Sequence, residues 1–230
     1  MNPAAARATL LELCPNTVTW GDPQPGRTTS RQPTLLSGVE TLDALTGGFP
    51  RGAITEIAGP ESSGRAVLAN LLLASATGQG EICALIDTHG GFDPAAAAAA
   101  GVRLPQLVWV RCGGDAGKAF RAADALLHAG GFGAVVLDLC RMSRRDWQRV
   151  PLSYWYRFRR AVEPTPTILA VLASARQGHA CASLQLELRR SAAAWPGAPG
   201  FELFRGIEIA VAPRKPIRNA EAKLNAGAVG

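Results

Sequence analysis

The expected architecture of this 230-residue chain follows from residues 53–66, Ala53-Ile54-Thr55-Glu56-Ile57-Ala58-Gly59-Pro60-Glu61-Ser62-Ser63-Gly64-Arg65-Ala66. The apolar, β-prone run 53–58 predicts a strand, and the apolar spacing over 65–76 predicts a helix. Between them lies a loop with the G-x-x-x-x-G spacing of a phosphate-binding loop. Strand, glycine loop and helix in this order form the context that such a loop needs.

The two positions after this loop depart from the motif. A phosphate-binding loop has Lys followed by Ser or Thr, where the Lys reaches the β- and γ-phosphates and the hydroxyl binds Mg²⁺. Here the residues are Arg65 and Ala66. A guanidinium is longer and more planar than an ammonium group, and the side chain of alanine has no oxygen that could bind a metal. We therefore expect the loop to keep its backbone shape and to lack the side chains that contact the phosphates and bind Mg²⁺.

A candidate nucleotide or phosphate site remains, because backbone N–H groups at a helix N-terminus can bind an anion whatever the side chains are. Asp138 ends a predicted strand, where an acidic residue would hold Mg²⁺ through water. Weak ATP binding stays open, with no catalytic residue, metal ligand or certain cofactor assigned. The candidate residues are Gly59, Glu61, Ser62, Ser63, Gly64, Arg65, Ala66 and Asp138.

The rest of the chain alternates near-continuous apolar strands with helices. This pattern predicts an α/β fold with a mainly parallel, twisted sheet flanked by helices on both faces. Alternating apolar residues over 181–188 and 201–211 predict antiparallel strands at the sheet edge. Further strands are predicted over 82–87, 107–111, 134–138 and 167–172, and helices over 38–45, 94–100, 116–128 and 151–162.

Three regions are expected along the chain: an N-terminal arm (1–33) with a short helix over 4–13, a core domain (34–212) and a basic, flexible tail (213–230). Five scattered cysteines without a C-x-x-C pair argue against a disulfide framework or a zinc site. No apolar run reaches membrane-spanning length, and the first residues lack a signal-peptide pattern. We expect a cytoplasmic protein with no membrane partner. The net charge of +6 favours acidic partners without choosing among them.

Residues 141–160 combine arginines with aromatic residues. In such a segment the arginines can bind the phosphates of single-stranded DNA, and the aromatic side chains can stack on its bases. The same composition is enriched where proteins bind partners, and it also suits an amphipathic helix that packs Tyr154 and Phe158 inward. All three interpretations stay open. The candidate DNA- or partner-binding residues are Arg141, Arg144, Arg145, Trp147, Arg149, Tyr154, Trp155 and Arg157.

The order of motifs over residues 36–215 resembles the RecA-like family. The resemblance rests on Gly47-Gly48-Phe49-Pro50-Arg51-Gly52, on the Gly-Pro-Glu-Ser-Ser-Gly string at 59–64, on Leu85-Ile86-Asp87, on Phe92-Asp93-Pro94 and on Ala134-Val135-Val136-Leu137-Asp138. It implies a RecA-like P-loop core. In that family a water-activating Glu falls where this chain has His89, and a glutamine switch falls on Ser174.

The chain resembles ImuA, the accessory branch of the family, in three respects. These are the departures just described, the short connection at 177–180 in place of a long DNA-binding loop, and the chain length. The resemblance implies a non-catalytic adaptor in damage-induced (SOS) translesion DNA synthesis. Its implied partners are an ImuB-like polymerase adaptor and an error-prone polymerase, with contact to RecA and to single-stranded DNA left open. Two alternatives remain: an ATP-dependent recombinase or mediator that uses Arg65 in place of Lys, and a protein-binding inhibitor of cell division.

Overall fold

The computed structural model describes residues 33–177, 180–194, 206–216 and 220–227. The chain divides into two compact units, Met1–Arg31 and Gln32–Gly230, and all the described residues belong to the second. The helix expected over 4–13 and the arm around it lie outside the described residues, as does the start of the strand expected over 201–211.

The described elements alternate between strands and helices as the sequence predicts. The strands are β1 (Thr34–Leu35), β2 (Phe49–Pro50), β3 (Ala53–Ala58), β4 (Cys83–Asp87), β5 (Leu107–Arg111), β6 (Ala134–Asp138), β7 (Ile168–Ala173), β8 (Ala182–Ala194), β9 (Gly206–Lys215) and β10 (Ala222–Gly227). The helices are α1 (Glu40–Thr46), α2 (Arg65–Gly78), α3 (Pro94–Ala99), α4 (Ala116–Ala129), α5 (Arg144–Arg149) and α6 (Ser153–Val162), with a 3-10 turn at Leu104–Gln106.

Eight of these strands form one sheet in the order β10-β9-β8-β3-β7-β6-β4-β5. The six strands from β8 to β5 are parallel to one another, whereas β9 runs antiparallel to β8 and β10 runs antiparallel to β9. Strands β1 and β2 pair separately. The α/β architecture with a mainly parallel sheet and antiparallel edge strands is confirmed.

Apolar layers cover both faces of the sheet. On one face, Leu68 and Leu72 of α2 pack with Leu42 of α1 against the strands. On the other face, Phe120 of α4 and Phe158 of α6 are buried among strand residues. Parallel strands need such cover on both sides, which explains their near-continuous apolar sequences. No helix in the described parts of the chain is long and apolar enough to cross a membrane.

One strand prediction is only partly confirmed. The run over 181–188 is expected to be an antiparallel edge strand, and β8 does run antiparallel to β9. It lies inside the sheet, however, and runs parallel to β3 on its other side, with Thr55 opposite Leu184. The short connection from β7 returns along the sheet and is held by the buried Glu56 of β3. Its carboxylate accepts hydrogen bonds from the Gln177 amide (2.7 Å) and from Nε2 of Gln185 (2.9 Å). Alternation alone cannot separate the two directions, because side chains alternate in both.

The flexible tail expected from residue 213 is also corrected for the described residues. Pro213 to Lys215 complete β9, and β10 adds an edge strand along β9. Leu224 and Ala222 of β10 are buried at 5% and 8% exposure. Three small or apolar residues alternating with polar ones gave too weak a pattern to predict this strand.

Candidate phosphate-loop site

The glycine loop connects β3 to α2 at the carboxyl edge of the parallel strands. Ser62 and Gly64 adopt positive φ angles of 58° and 92°, which curl the backbone into a concave turn. The N–H groups of Gly64, Arg65 and Ala66 find no hydrogen-bond acceptor in the described part of the chain. They are the open donors at the start of a 14-residue helix, which carries a partial positive charge there. The loop therefore has the backbone geometry of an anion site.

Strands β8 and β9 lie directly against this loop. A Cβ atom on Gly64 would overlap the side chain of Ile209 on β9, and one on Gly59 would overlap the carbonyl oxygen of Leu188 on β8. Packing therefore requires glycine at both positions, and the positive φ angle favours it at position 64 as well. This contact was missed from the sequence, because it depends on where the β8–β9 pair lies in the sheet.

Arg65 is the first residue of α2 and is only 9% exposed. Its Nη1 atom is buried without a hydrogen-bond partner, and no ion pair among the described residues includes it. Beside it, Ala66 presents a methyl group to solvent. The position that carries a hydroxyl in a phosphate-binding loop thus offers no oxygen.

Asp138 and Asp87 end neighbouring strands and face each other across the β4–β6 register. Asp138 accepts a hydrogen bond from the Cys140 amide at 2.9 Å. Burial raises the pKa of the Cys140 thiol, and the Asp138 carboxylate raises it further, so the thiol stays protonated. Within the described residues, no group of three or more His, Cys, Asp or Glu side chains is placed to hold a metal ion.

Asp87 is a structural residue at the same edge. Burial disfavours its charge, but amides of Gly91, Phe92 and Gly90 and the Trp109 indole donate hydrogen bonds to its carboxylate. These bonds outweigh the burial, and the pKa of Asp87 lies below its ordinary value. They fix the turn that carries Gly91 to within reach of the Asp138 carboxylate.

A cavity of about 560 Å³ opens beside the loop. It brings together most of the predicted loop residues with Asp138 and with His89, which is half-buried. Among the described residues, three arginines (Arg65, Arg141 and Arg190) and one carboxylate (Asp138) line it. Arg141, a predicted DNA- or partner-binding residue, is exposed and also lines this cavity, and its predicted role stays a prediction. Arg190 was not singled out, because only the position of β8 brings it to the loop.

The cavity does not fit a magnesium–nucleotide centre. Among the described residues that line it, Asp138 is the one carboxylate, and position 66 lacks the hydroxyl that would bind the metal beside it. Mg²⁺ in such sites is held by one or two carboxylates, water and the substrate phosphates, so the ligand that this chain lacks is the hydroxyl at position 66. The three guanidinium groups would instead oppose a cation, because like charges repel.

The arginine–aromatic segment folds into α5 and α6 and divides into buried and exposed parts. Trp155 is 3% exposed and packs edge-on against Phe120 and Phe158, so its predicted surface role is corrected. Tyr154 is half-buried on Phe120, and Trp147 stacks on Trp155 with ring centroids 6.4 Å apart. The inward face of α6 is thus a core face.

The arginines of the segment are not gathered into one site. Arg157 pairs with Asp124 of α4, while Arg145 and Arg149 are exposed on α5. The Arg144 side chain lies outside the described part of the chain. Helix α5 was not predicted as a separate element; Ser143 begins it by accepting a hydrogen bond from the Asp146 amide.

A glycine loop at the carboxyl edge of a mainly parallel sheet, with helices covering both faces, defines a P-loop type of α/β domain. The chain belongs to the RecA N-terminal domain family, whose model matches residues 26–142, just over half of the chain. The matched region includes the loop, His89 and Asp138. The RecA-like resemblance of the sequence is confirmed at this level.

Curated relatives match a segment of similar extent. Protein RecA of Treponema denticola is 41% identical over 106 residues, covering 45% of this chain and 25% of that protein. Protein RecA of Rubrobacter xylanophilus is 39% identical over 115 residues, covering 49% of this chain and 33% of that protein. The chain therefore spans between a quarter and a third of the length of these relatives.

Proposed function

We propose that this protein is a RecA-family accessory protein that does not hydrolyse ATP and acts by binding other proteins in damage-induced translesion DNA synthesis. The observation that carries the proposal is the pair at the start of α2: Arg65 is buried in the loop and Ala66 presents only a methyl group. The family fold is retained around a loop that lacks the groups needed for phosphoryl transfer.

The chemical argument concerns charge and positioning. Phosphoryl transfer depends on a metal ion that bridges the phosphates and on a residue that orients the attacking water. Position 66 offers no hydroxyl to a metal beside Asp138, and His89, which by resemblance matches the family's Glu, lines the same cavity. An imidazole could accept a proton, but without the metal the developing charge would be unsupported. We therefore propose binding without turnover.

A second observation supports a role in protein contacts. The outer surface of α6, defined here by Leu152 and Tyr156, exposes these side chains at 71% and 58%. Arg149 at the end of α5 and Arg160 on α6 are also exposed. An exposed aromatic and aliphatic pair beside arginines is typical of protein-binding surfaces, where a few such residues dominate affinity. The partner that we propose is a polymerase-like adaptor of the ImuB type.

The first test is ATP hydrolysis by the purified chain with Mg²⁺, with and without single-stranded DNA. We expect no turnover above the buffer control. A double variant, Arg65→Lys with Ala66→Thr, is expected to gain Mg²⁺-dependent ATP binding and still not to hydrolyse ATP, because His89 remains. Hydrolysis by the wild type at a rate comparable to an active RecA would overturn the proposal.

The second test measures affinity for the polymerase-like adaptor by surface plasmon resonance. Replacing Leu152 and Tyr156 by Ala should weaken binding at least tenfold, equivalent to about 1.4 kcal/mol. The matched control is Val108→Ala, which removes an apolar side chain of 42% exposure from the far edge of the sheet. Equal loss in both variants, or no binding by the wild type, would exclude this partner surface.

A further inference from the structure

A second cavity, of about 440 Å³, opens where α4 begins and α5 meets α6. It lies on the face of the sheet opposite α2, and we call it the α4–α5 groove. Its apolar lining consists chiefly of Phe120, Val150, Pro151 and Tyr154. Phe120 is buried, Val150 and Tyr154 are half-buried and Pro151 is exposed. A concave apolar surface of this size has room for an apolar side chain of another molecule.

Basic side chains outnumber acidic ones around the groove. Arg149 lines it, and Arg145 stands one turn earlier on α5. Both are exposed, and no ion pair among the described residues includes either of them. Like charges at this i, i+4 spacing repel each other, so a negatively charged partner would relieve the repulsion. Lys118 and Arg121 are also exposed, at the start of α4.

The two carboxylates that line the groove are already engaged within the chain. Asp115 begins α4 by accepting a hydrogen bond from the Lys118 amide at 2.9 Å. This bond, more than any other cause, holds the pKa of Asp115 below its ordinary value. Asp146 accepts a hydrogen bond from the Ser143 hydroxyl at 2.6 Å at the start of α5. The four basic side chains therefore leave an excess of positive charge at the groove.

The aromatic rings of the groove do not offer free faces for stacking. The Phe120 ring packs against the rings of Tyr154 and Trp155, with centroids 5.1 and 5.6 Å away. The Tyr154 ring also contacts Phe158, and the Arg157 guanidinium lies 5.7 Å from its centroid. Single-stranded nucleic acids bind by stacking on aromatic side chains as well as through their phosphates. Apolar room beside unpaired arginines therefore favours an acidic peptide over a nucleic acid.

We infer that the α4–α5 groove binds an acidic peptide segment of another protein. An apolar side chain of that segment enters the groove, and carboxylates beside it meet Arg145 and Arg149. The groove is separate from the outer surface of α6, because Tyr154 lies more than half a helical turn from both Leu152 and Tyr156. The inference therefore does not rest on the proposed function, and it requires no polymerase-like partner.

The experiment selects a phage library of random dodecapeptides on the purified full chain and measures Kd of the recovered peptides by fluorescence anisotropy. We expect these peptides to combine an aromatic or aliphatic residue with several carboxylates, and to bind more weakly as salt rises. The double variant Arg145→Glu with Arg149→Glu should weaken binding at least tenfold. The matched control, Arg103→Glu with Arg176→Glu, makes the same change of charge at exposed arginines outside the groove, and should keep the affinity within about threefold of the wild type.

A variant that leaves the charge unchanged tests the apolar contact. Val150→Ser should weaken binding at least threefold, and a melting curve shows whether it folds. Should it not fold, the two charge variants decide, because their substitutions are at exposed positions. Recovery of no acidic peptides, equal loss in the two double variants, or unchanged affinity in folded Val150→Ser would each overturn the inference.

Competition with oligothymidine separates the two classes of ligand. We expect the peptide to stay bound, and its displacement by oligothymidine at similar concentration would assign the groove to nucleic acid and overturn the inference. Failure of this selection leaves the test of adaptor binding at Leu152 and Tyr156 untouched. Failure of adaptor binding likewise leaves the peptide selection untouched.

Discussion

Replacing Arg65 by methionine should stabilise the ligand-free protein, although it changes a buried residue. Methionine keeps the unbranched stem and a similar helix propensity, and it removes the guanidinium. The structure shows Nη1 buried without a partner and the side chain 9% exposed. A buried donor left unsatisfied costs about 1–3 kcal/mol. A cation in the first turn of a helix costs roughly 0.3–1 kcal/mol more.

We therefore expect the free energy of unfolding to rise by about 2 kcal/mol in Arg65→Met. For a folded unit of about 200 residues this corresponds to an increase in Tm of roughly 4–8 °C. The assay is urea and thermal denaturation in phosphate-free buffer, with Arg121→Met as the matched control. Because Arg121 is exposed on α4, its replacement should change stability by no more than about 0.5 kcal/mol.

If the variant is instead less stable than the wild type in phosphate-free buffer, by about 1 kcal/mol or more, the guanidinium is already well solvated or paired. The reasoning about an unpaired buried charge would then be refuted.

Three further predictions concern the loop glycine, the turn held by Asp87 and the two faces of α6. Gly64→Ala should destabilise the protein by about 2–4 kcal/mol in urea denaturation, because φ is +92° and a Cβ would overlap β9; Gly78→Ala, where a Cβ meets nothing within 4 Å, should be neutral or stabilising by up to about 1 kcal/mol, and equal effects would contradict this. The folded-state pKa of Asp87 is depressed, so its contribution to stability is present above its unfolded pKa and is lost as pH falls through the folded value. Asp87→Asn should flatten this acid dependence and cost about 1–3 kcal/mol near pH 7, because an amide group would face backbone donors. An unchanged profile of stability against pH would exclude this role. Trp155→Ala should cost about 3–5 kcal/mol as a core truncation, whereas Tyr156→Ala should stay within about 0.5 kcal/mol; similar losses in a melting experiment would contradict the assignment of inner and outer faces of α6.

The sequence predicted the elements that carry strong local signals. The strand Ala53–Ala58 has the expected bounds, and the helix begins at Arg65 as expected and ends at Gly78, two residues beyond the prediction. An apolar run, a glycine loop and helical spacing follow one another there without ambiguity. The position of β8 inside the sheet and its parallel pairing with β3 could not be predicted. Parallel and antiparallel strands share one side-chain alternation, and the choice was made by distant contacts such as the one from Gln177 to Glu56.

The candidate site was predicted in part for the same reason. Motif spacing indicated the loop residues and Asp138, and the structure places residues 62–66 and Asp138 around one cavity, with Gly59 and Glu61 outside its lining. Arg190 and Ile209 come to the loop from strands more than 120 residues along the chain, so no local pattern indicates them. Trp155 was assigned to the surface because composition alone does not tell which face of α6 packs on α4.

The contact between the loop and β8–β9 has an evolutionary consequence. Gly64 leaves room for Ile209, and Gly59 leaves room for the Leu188 carbonyl, so selection for a stable fold is enough to retain both glycines. A descendant of an ATPase can then lose its lysine and hydroxyl by drift while its glycine spacing survives. In such lineages the glycines indicate only that the fold is packed in this way, and the residues at positions 65 and 66 indicate whether the phosphate chemistry is retained.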